Sequence, residues 1–137
     1  MNAAAKTNQA LSRGLSIIVA DDDPDTVATL GAILADEGHT VHTVTHGGLV
    51  LEAVRRFKPN VCIIDIEMPG QDGYAIARDL VTEFGDRRPH LIGISGRWKT
   101  QTDVMLAKLV GFDNFFTKPA DPRELIKLLS SVEPDAA

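Results

Sequence analysis

The chain has 137 residues, 44% hydrophobic and 24% charged, a balance that suits one globular domain with a single core and leaves no room for a second. Its 14 Lys and Arg stand against 19 Asp and Glu, a formal net charge of -5, which argues against direct nucleic-acid binding except through a local basic patch. No apolar run approaches the ~20 residues needed to cross a bilayer, and the one cysteine, Cys62, can form no internal disulfide, so a cytoplasmic, reducing setting without a membrane partner is predicted.

Residues 1–14 carry scattered apolar residues with no central apolar stretch and are expected to form a flexible lead, neither signal peptide nor membrane anchor. The domain itself is expected over residues 15–133, with 134–137 as a short tail. Leu15 to Ala20 is a nearly continuous apolar run, as expected of a parallel strand covered on both faces, and Asp21, Asp22 and Asp23 follow it. Asp23 as N-cap and Pro24 at the first position open a helix that ends near Gly38. Thr40 to Val44 reads as a second strand, and Val50, Ala53, Val54 and Phe57 place one apolar stripe on a second helix.

The third strand, Val61 to Ile64, holds Cys62 as a small buried hydrophobe and ends in Asp65. Ala77, Leu80, Val81 and Phe84 form the stripe of a third helix, after which Leu91 to Ile94 leads into Ser95. The fourth helix is unusually apolar, with Val104, Met105, Leu106, Ala107, Leu109 and Val110, so an exposed patch that includes Val104 is expected there as a partner or dimer surface. Asn114 to Thr117 is a fifth strand and runs into Lys118-Pro119. Asp121, Pro122 and Glu124, close to a capping box, open a fifth helix with a stripe at Leu125, Leu128, Leu129 and Val132. His39, His42, His46 and His90 lie on the second strand, its flanks and the start of the fourth; they form no metal-site grouping and are assigned no role.

Five strands alternating with helices make a parallel α/β sheet, and right-handed crossovers put every strand's carboxyl end on one edge, where open sheets bind ligands. Asp21, Asp22, Asp23, Asp65, Ser95 and Lys118 all fall on that edge. Singly, each has a plainer reading, since an Asp-rich turn after a strand commonly caps a helix and Lys-Pro is commonly just a loop. Crowded carboxylates repel unless a cation neutralises them, and a hard divalent ion such as Mg²⁺ suits oxygen donors. Asp22 and Asp65 are the expected direct ligands, with a backbone carbonyl near Glu67 as a third and Asp21 acting through water. Asp65 is then also a carboxylate nucleophile beside a metal, fit to receive a phosphoryl group whose other oxygens meet Lys118 and Ser95.

Ile17-Ile18-Val19-Ala20-Asp21-Asp22-Asp23, Ile63-Ile64-Asp65-Ile66-Glu67-Met68-Pro69-Gly70-Gln71-Asp72-Gly73, Ser95-Gly96 and Phe116-Thr117-Lys118-Pro119 resemble the motifs of CheY-like receiver domains of two-component response regulators. The likeness runs from Leu15 to about Val132. It implies a flavodoxin-like doubly wound (βα)5 fold with strand order 2-1-3-4-5 and a cis Lys118-Pro119 bond. It further implies Mg²⁺-dependent phosphorylation of Asp65 by a phosphohistidine on a sensor histidine kinase or phosphotransfer protein. The signal would leave by movement of Ser95 and the aromatic at Phe115, remodelling the face of the fourth helix, fifth strand and fifth helix for a downstream partner, as a monomer or a phosphorylation-dependent dimer. Phe115 lacks the phenol of the Tyr often found there, so its movement would be driven by packing alone, and a static core role stays open.

Glu67 and Arg97 are expected to face each other across the site entrance, where a pair would slow loss of the phosphoryl group; the alternative is two solvated loop charges. Such a protein would be a signalling phosphoacceptor rather than an enzyme acting on a separate substrate. An aspartyl-phosphate phosphohydrolase would carry Asp-x-Asp and a cap, whereas Glu67 stands two residues after Asp65. A flavin carrier would need a hydroxyl-rich cradle where three carboxylates stand. A phosphorylation-independent binding module is opposed by the intact Asp22, Asp65 and Lys118.

Overall fold

The computed structural model describes residues 14–96 and 100–134. Along them run β1 (Ser16–Ala20), α1 (Pro24–Asp36), β2 (Thr40–Val44), α2 (Val50–Phe57), β3 (Val61–Asp65), α3 (Gly73–Phe84), β4 (His90–Ser95), α4 (Gln101–Val110), β5 (Asn114–Thr117) and α5 (Pro122–Leu129). The strands form one parallel sheet in the order β2-β1-β3-β4-β5, as expected.

Side chains alternate between the two faces of a strand, and β1 and β3 are apolar at every position before Asp65 apart from Ser16, so both faces bury. Ile18, Cys62 and Ile64 pack with Val50 and Val54 of α2, Ile76, Ala77 and Leu80 of α3, and Ala107 of α4. On the opposite face, Ile17, Val19, Ile63, Ile92 and Ile94 pack with Val27 and Leu34 of α1 and Leu125 and Leu129 of α5. Truncating one of these, Leu80→Ala for instance, would cost about 2–5 kcal/mol. Burial also pushes the Cys62 thiol well above its ordinary range, which leaves it inert.

Several details depart from the sequence expectation. Val104 is half-buried rather than exposed, and the outward apolar residues of α4 are Met105, Leu106 and Leu109 at 62%, 49% and 80% exposure. Phe57 does not join the core but stacks on His42 of the edge strand, with ring centroids 3.6 Å apart. The capping box belongs to α4, where Thr100 and Asp103 bond reciprocally; at α5, Asp121 instead accepts from the Arg123 N–H at 2.9 Å. α5 closes at Leu129, before Val132.

Candidate functional site

The chain leaves β1 toward β2 on one side and toward β3, β4 and β5 on the other, so the sheet's switch point lies between the carboxyl ends of β1 and β3. Asp21 and Asp22 follow β1, and Asp65 is the last residue of β3. One carboxylate oxygen of each lies within 4.8 Å of the others. Asp21 and Asp65 are buried, whereas Asp22 is exposed at the mouth.

Both oxygens of Asp65 are held. Oδ1 accepts the Glu67 N–H at 3.0 Å and Oδ2 accepts from Lys118 Nζ at 2.9 Å. Asp21 Oδ1 accepts the Asp23 N–H at 3.0 Å, and its Oδ2 lies 3.9 Å from the same Lys118 Nζ. Lys118 is brought here by β5, where its own N–H bonds the Ser95 carbonyl at 3.1 Å and its peptide to Pro119 is cis. Asp23 turns away to cap α1 through the Asp25 N–H at 3.1 Å.

Burial raises the Asp65 carboxyl above its usual range; Lys118 opposes this, and Asp21 adds to it. Asp21 is raised for the same first reason, with the Asp23 N–H and Lys118 opposing and Asp22 adding. Burial would lower Lys118, but its bond to Asp65 and the charges of Asp65, Asp21 and Glu67 together raise it. The ion pair alone would depress Asp65; desolvation and the second buried carboxylate prevail. One ammonium therefore faces three carboxylates, a deficit of positive charge built entirely from hard oxygen donors, which fits a divalent cation of the Mg²⁺ type.

Ser95 ends β4 beside this group and is buried, and its hydroxyl donates to the Glu67 carboxylate. Glu67 thus engages Ser95, a contact the sequence reading did not anticipate; Arg97, its expected partner, lies outside the described residues. The register pairs Asp65 with Ile94, which brings Ser95, the last residue of β4, beside the start of the loop that carries Glu67. Phe115 is half-buried against the α2–α3–α4 core. The remaining histidines serve structure: His39 Nδ1 accepts the Leu15 N–H at 3.1 Å, His46 Nδ1 accepts the Gly48 N–H at 3.1 Å, and His90 Nε2 lies 2.5 Å from Asn114 Oδ1.

A cleft of about 720 Å³ opens at the three carboxylates and Lys118 and continues between α1 and α5, lined by Thr29, Leu30, Ile33 and Leu125. The apolar arm has no counterpart in the sequence reading, which placed only Leu125 of these residues, on the stripe of the fifth helix. No helix among the described residues is long and apolar enough to cross a membrane.

Residues 17–130 match the family described as the response regulator receiver domain. The chain is similar to protein PilH of Pseudomonas aeruginosa, 31% identical over 116 residues that cover 85% of this chain and 95% of that protein. It is also similar to the DNA-binding response regulator MtrA of Mycolicibacterium smegmatis, 31% identical over 80% of this chain but only 46% of MtrA, so it spans less than half of that relative. Among solved structures, the chemotaxis response regulator CheY4 of Vibrio cholerae superposes with a TM-score of 0.79 at 21% identity, covering 87% of this chain and 98% of that one; this likeness concerns the fold.

Proposed function

We propose, given that the chain belongs to the response regulator receiver domain family of two-component systems, that it accepts a phosphoryl group on Asp65 from a phosphohistidine donor and thereby switches a protein-binding surface. The observation that supports this most is the Asp65 carboxylate, fixed by the Glu67 N–H and Lys118 Nζ and set against Asp21 and Asp22 at the open end of a cleft.

Asp65 attacks phosphorus as the nucleophile; the P–N bond breaks, its electron pair returns to the donor imidazole, and an acyl phosphate forms. Hydrolysis later returns the carboxylate and inorganic phosphate. Lys118 offsets the negative charge of the phosphoryl oxygens, and the Ser95 hydroxyl turns to donate to one of them. Asp22, Asp65 and the backbone carbonyl of Glu67 would hold Mg²⁺, with Asp21 acting through water. The ion, when bound, supplies charge neutralisation between nucleophile and phosphoryl group.

The donor, a sensor histidine kinase or phosphotransfer protein, reaches Asp65 through the mouth of the cleft. The signal leaves by Ser95 and Phe115 to the α4–β5–α5 face, where Met105, Leu106 and Leu109 offer an apolar contact to a downstream partner or a second copy. These steps take place in the cytoplasm.

Incubation with Mg²⁺ and a small acyl phosphate, followed by intact mass measurement, tests the reading. One phosphoryl adduct in the wild type and none in Asp65→Asn is the expected result. Absence of the adduct, or its persistence in Asp65→Asn, would overturn it.

A further inference from the structure

Glu67 engages the Ser95 hydroxyl beside Asp65. Its N–H is fixed on Asp65 Oδ1 at 3.0 Å, so its backbone cannot drift from the site. Its side chain crosses the gap between the ends of β3 and β4 and accepts the Ser95 hydroxyl proton. Ser95 is 1% exposed, and its carbonyl is tied to the Lys118 N–H at 3.1 Å, so reorientation of its hydroxyl must come mainly from side-chain rotation.

A serine hydroxyl has a single proton to donate. While the Glu67 carboxylate holds it, it cannot be donated to an oxygen above Asp65. A phosphoryl group there brings anionic acceptors that compete for the same proton and repel Glu67 as well. We infer that Glu67 is a positioning residue that latches the Ser95 hydroxyl in the resting site, so that anion binding at Asp65 must first break the Glu67–Ser95 bond. This inference rests on the reading of Asp65 as phosphoacceptor. It assigns Glu67 a role in the resting equilibrium, exerted before any phosphoryl group arrives.

Removing Glu67 also removes a negative charge near an anion site, and that alone would strengthen anion binding. The two causes separate by chemistry. Glu67→Gln discards the charge and keeps an acceptor oxygen at the same reach, whereas Glu67→Ala discards both. Ser95→Ala removes the latch's other half.

The test is the affinity of the full chain for beryllofluoride with Mg²⁺, measured by calorimetry for wild type, Glu67→Gln and Glu67→Ala, each with Ser95 and with Ser95→Ala. With Ser95 present, Glu67→Ala is expected to tighten binding ~10-fold, equivalent to about 1.4 kcal/mol. Glu67→Gln should recover a measurable part of the wild-type restraint. With Ser95→Ala, the Glu67→Ala gain should shrink to about 2-fold or less, the non-additivity expected of residues in direct contact. An equal gain in both serine backgrounds would assign the effect to charge and overturn the latch, as would no gain at all. If the wild type fails to bind beryllofluoride, or Asp65→Asn binds it equally well, the Asp65 reading itself fails and the latch falls with it.

Discussion

Lys118 Nζ lies 2.9 Å from Asp65 Oδ2, yet the Asp65 carboxyl is raised rather than lowered. Burial and the neighbouring Asp21 outweigh the ion pair, so the site disfavours the charged forms of Asp65 and Asp21, and a cation that neutralises them relieves that cost. A cation that binds the folded site and not the unfolded chain stabilises by mass action. Mg²⁺ at ten times its dissociation constant should therefore add about 1.4 kcal/mol, a rise of about 4 °C in the melting midpoint. Asp22→Ala should abolish most of that increment while leaving the metal-free midpoint nearly unchanged, because Asp22 is exposed. Equal Mg²⁺ responses in wild type and variant would refute the assignment of Asp22.

The loop that carries Glu67 is clamped from below by His46. Gly70 has φ +91, and a Cβ there would overlap the His46 imidazole, whose Nδ1 is already engaged by the Gly48 N–H. The adjoining Gly47 N–H bonds the Pro69 carbonyl at 3.2 Å. Gly70→Ala should thus destabilise by about 1–3 kcal/mol in urea unfolding, combining left-handed strain with the clash. Adding His46→Ala should restore only the clash component. Full restoration would mean that the backbone conformation contributes nothing, and no restoration would mean that the ring is not the obstacle.

Much of the site was legible because its residues follow strands, and strands were marked by apolar runs that end abruptly in Asp65, Ser95 or Lys118. A parallel sheet then forces those ends together without further information. The side-chain contacts were not legible in this way. Glu67 could be placed near the entrance, but whether it reaches Arg97 or Ser95 depends on rotamers that periodicity does not encode. Likewise the α4 stripe is nearly apolar all round, so the helix pattern could not fix which face turns outward; packing of Ala107 into the core decides it. The Thr100–Asp103 capping box carries a signature of its own, a Thr followed three residues later by an acid.

That outward face permits a separation of signal from chemistry. Leu109 and Met105 are 80% and 62% exposed, on a helix whose buried residue is Ala107. Leu109→Lys with Met105→Lys should change stability by no more than about 0.5 kcal/mol. Phosphoryl uptake on Asp65 should persist by intact mass, while any change in sedimentation induced by beryllofluoride should vanish. Loss of uptake in this variant would show that the face and the site are not separable.

His39 gives the fold a pH dependence distant from the carboxylates. Its Nδ1 accepts the Leu15 N–H at 3.1 Å, which requires that nitrogen unprotonated, and partial burial lowers its pKa from 6.5, with Glu37 opposing. A base depressed in the folded state leaves stability fully present above pH 6.5. Stability is lost as pH falls from there through the lower folded value, because the unfolded chain binds the proton first. One proton sets a ceiling of about 1.4 kcal/mol per pH unit, and the effect should fall well below it because solvent screens a half-buried ring. Asp21 and Asp65, raised by burial, contribute with the opposite sign on acidification and cancel in a comparison of variants. His39→Gln keeps an acceptor without titrating. Its urea midpoint should fall less steeply than the wild type's between pH 7 and 5, whereas parallel curves would place the wild-type slope on other groups.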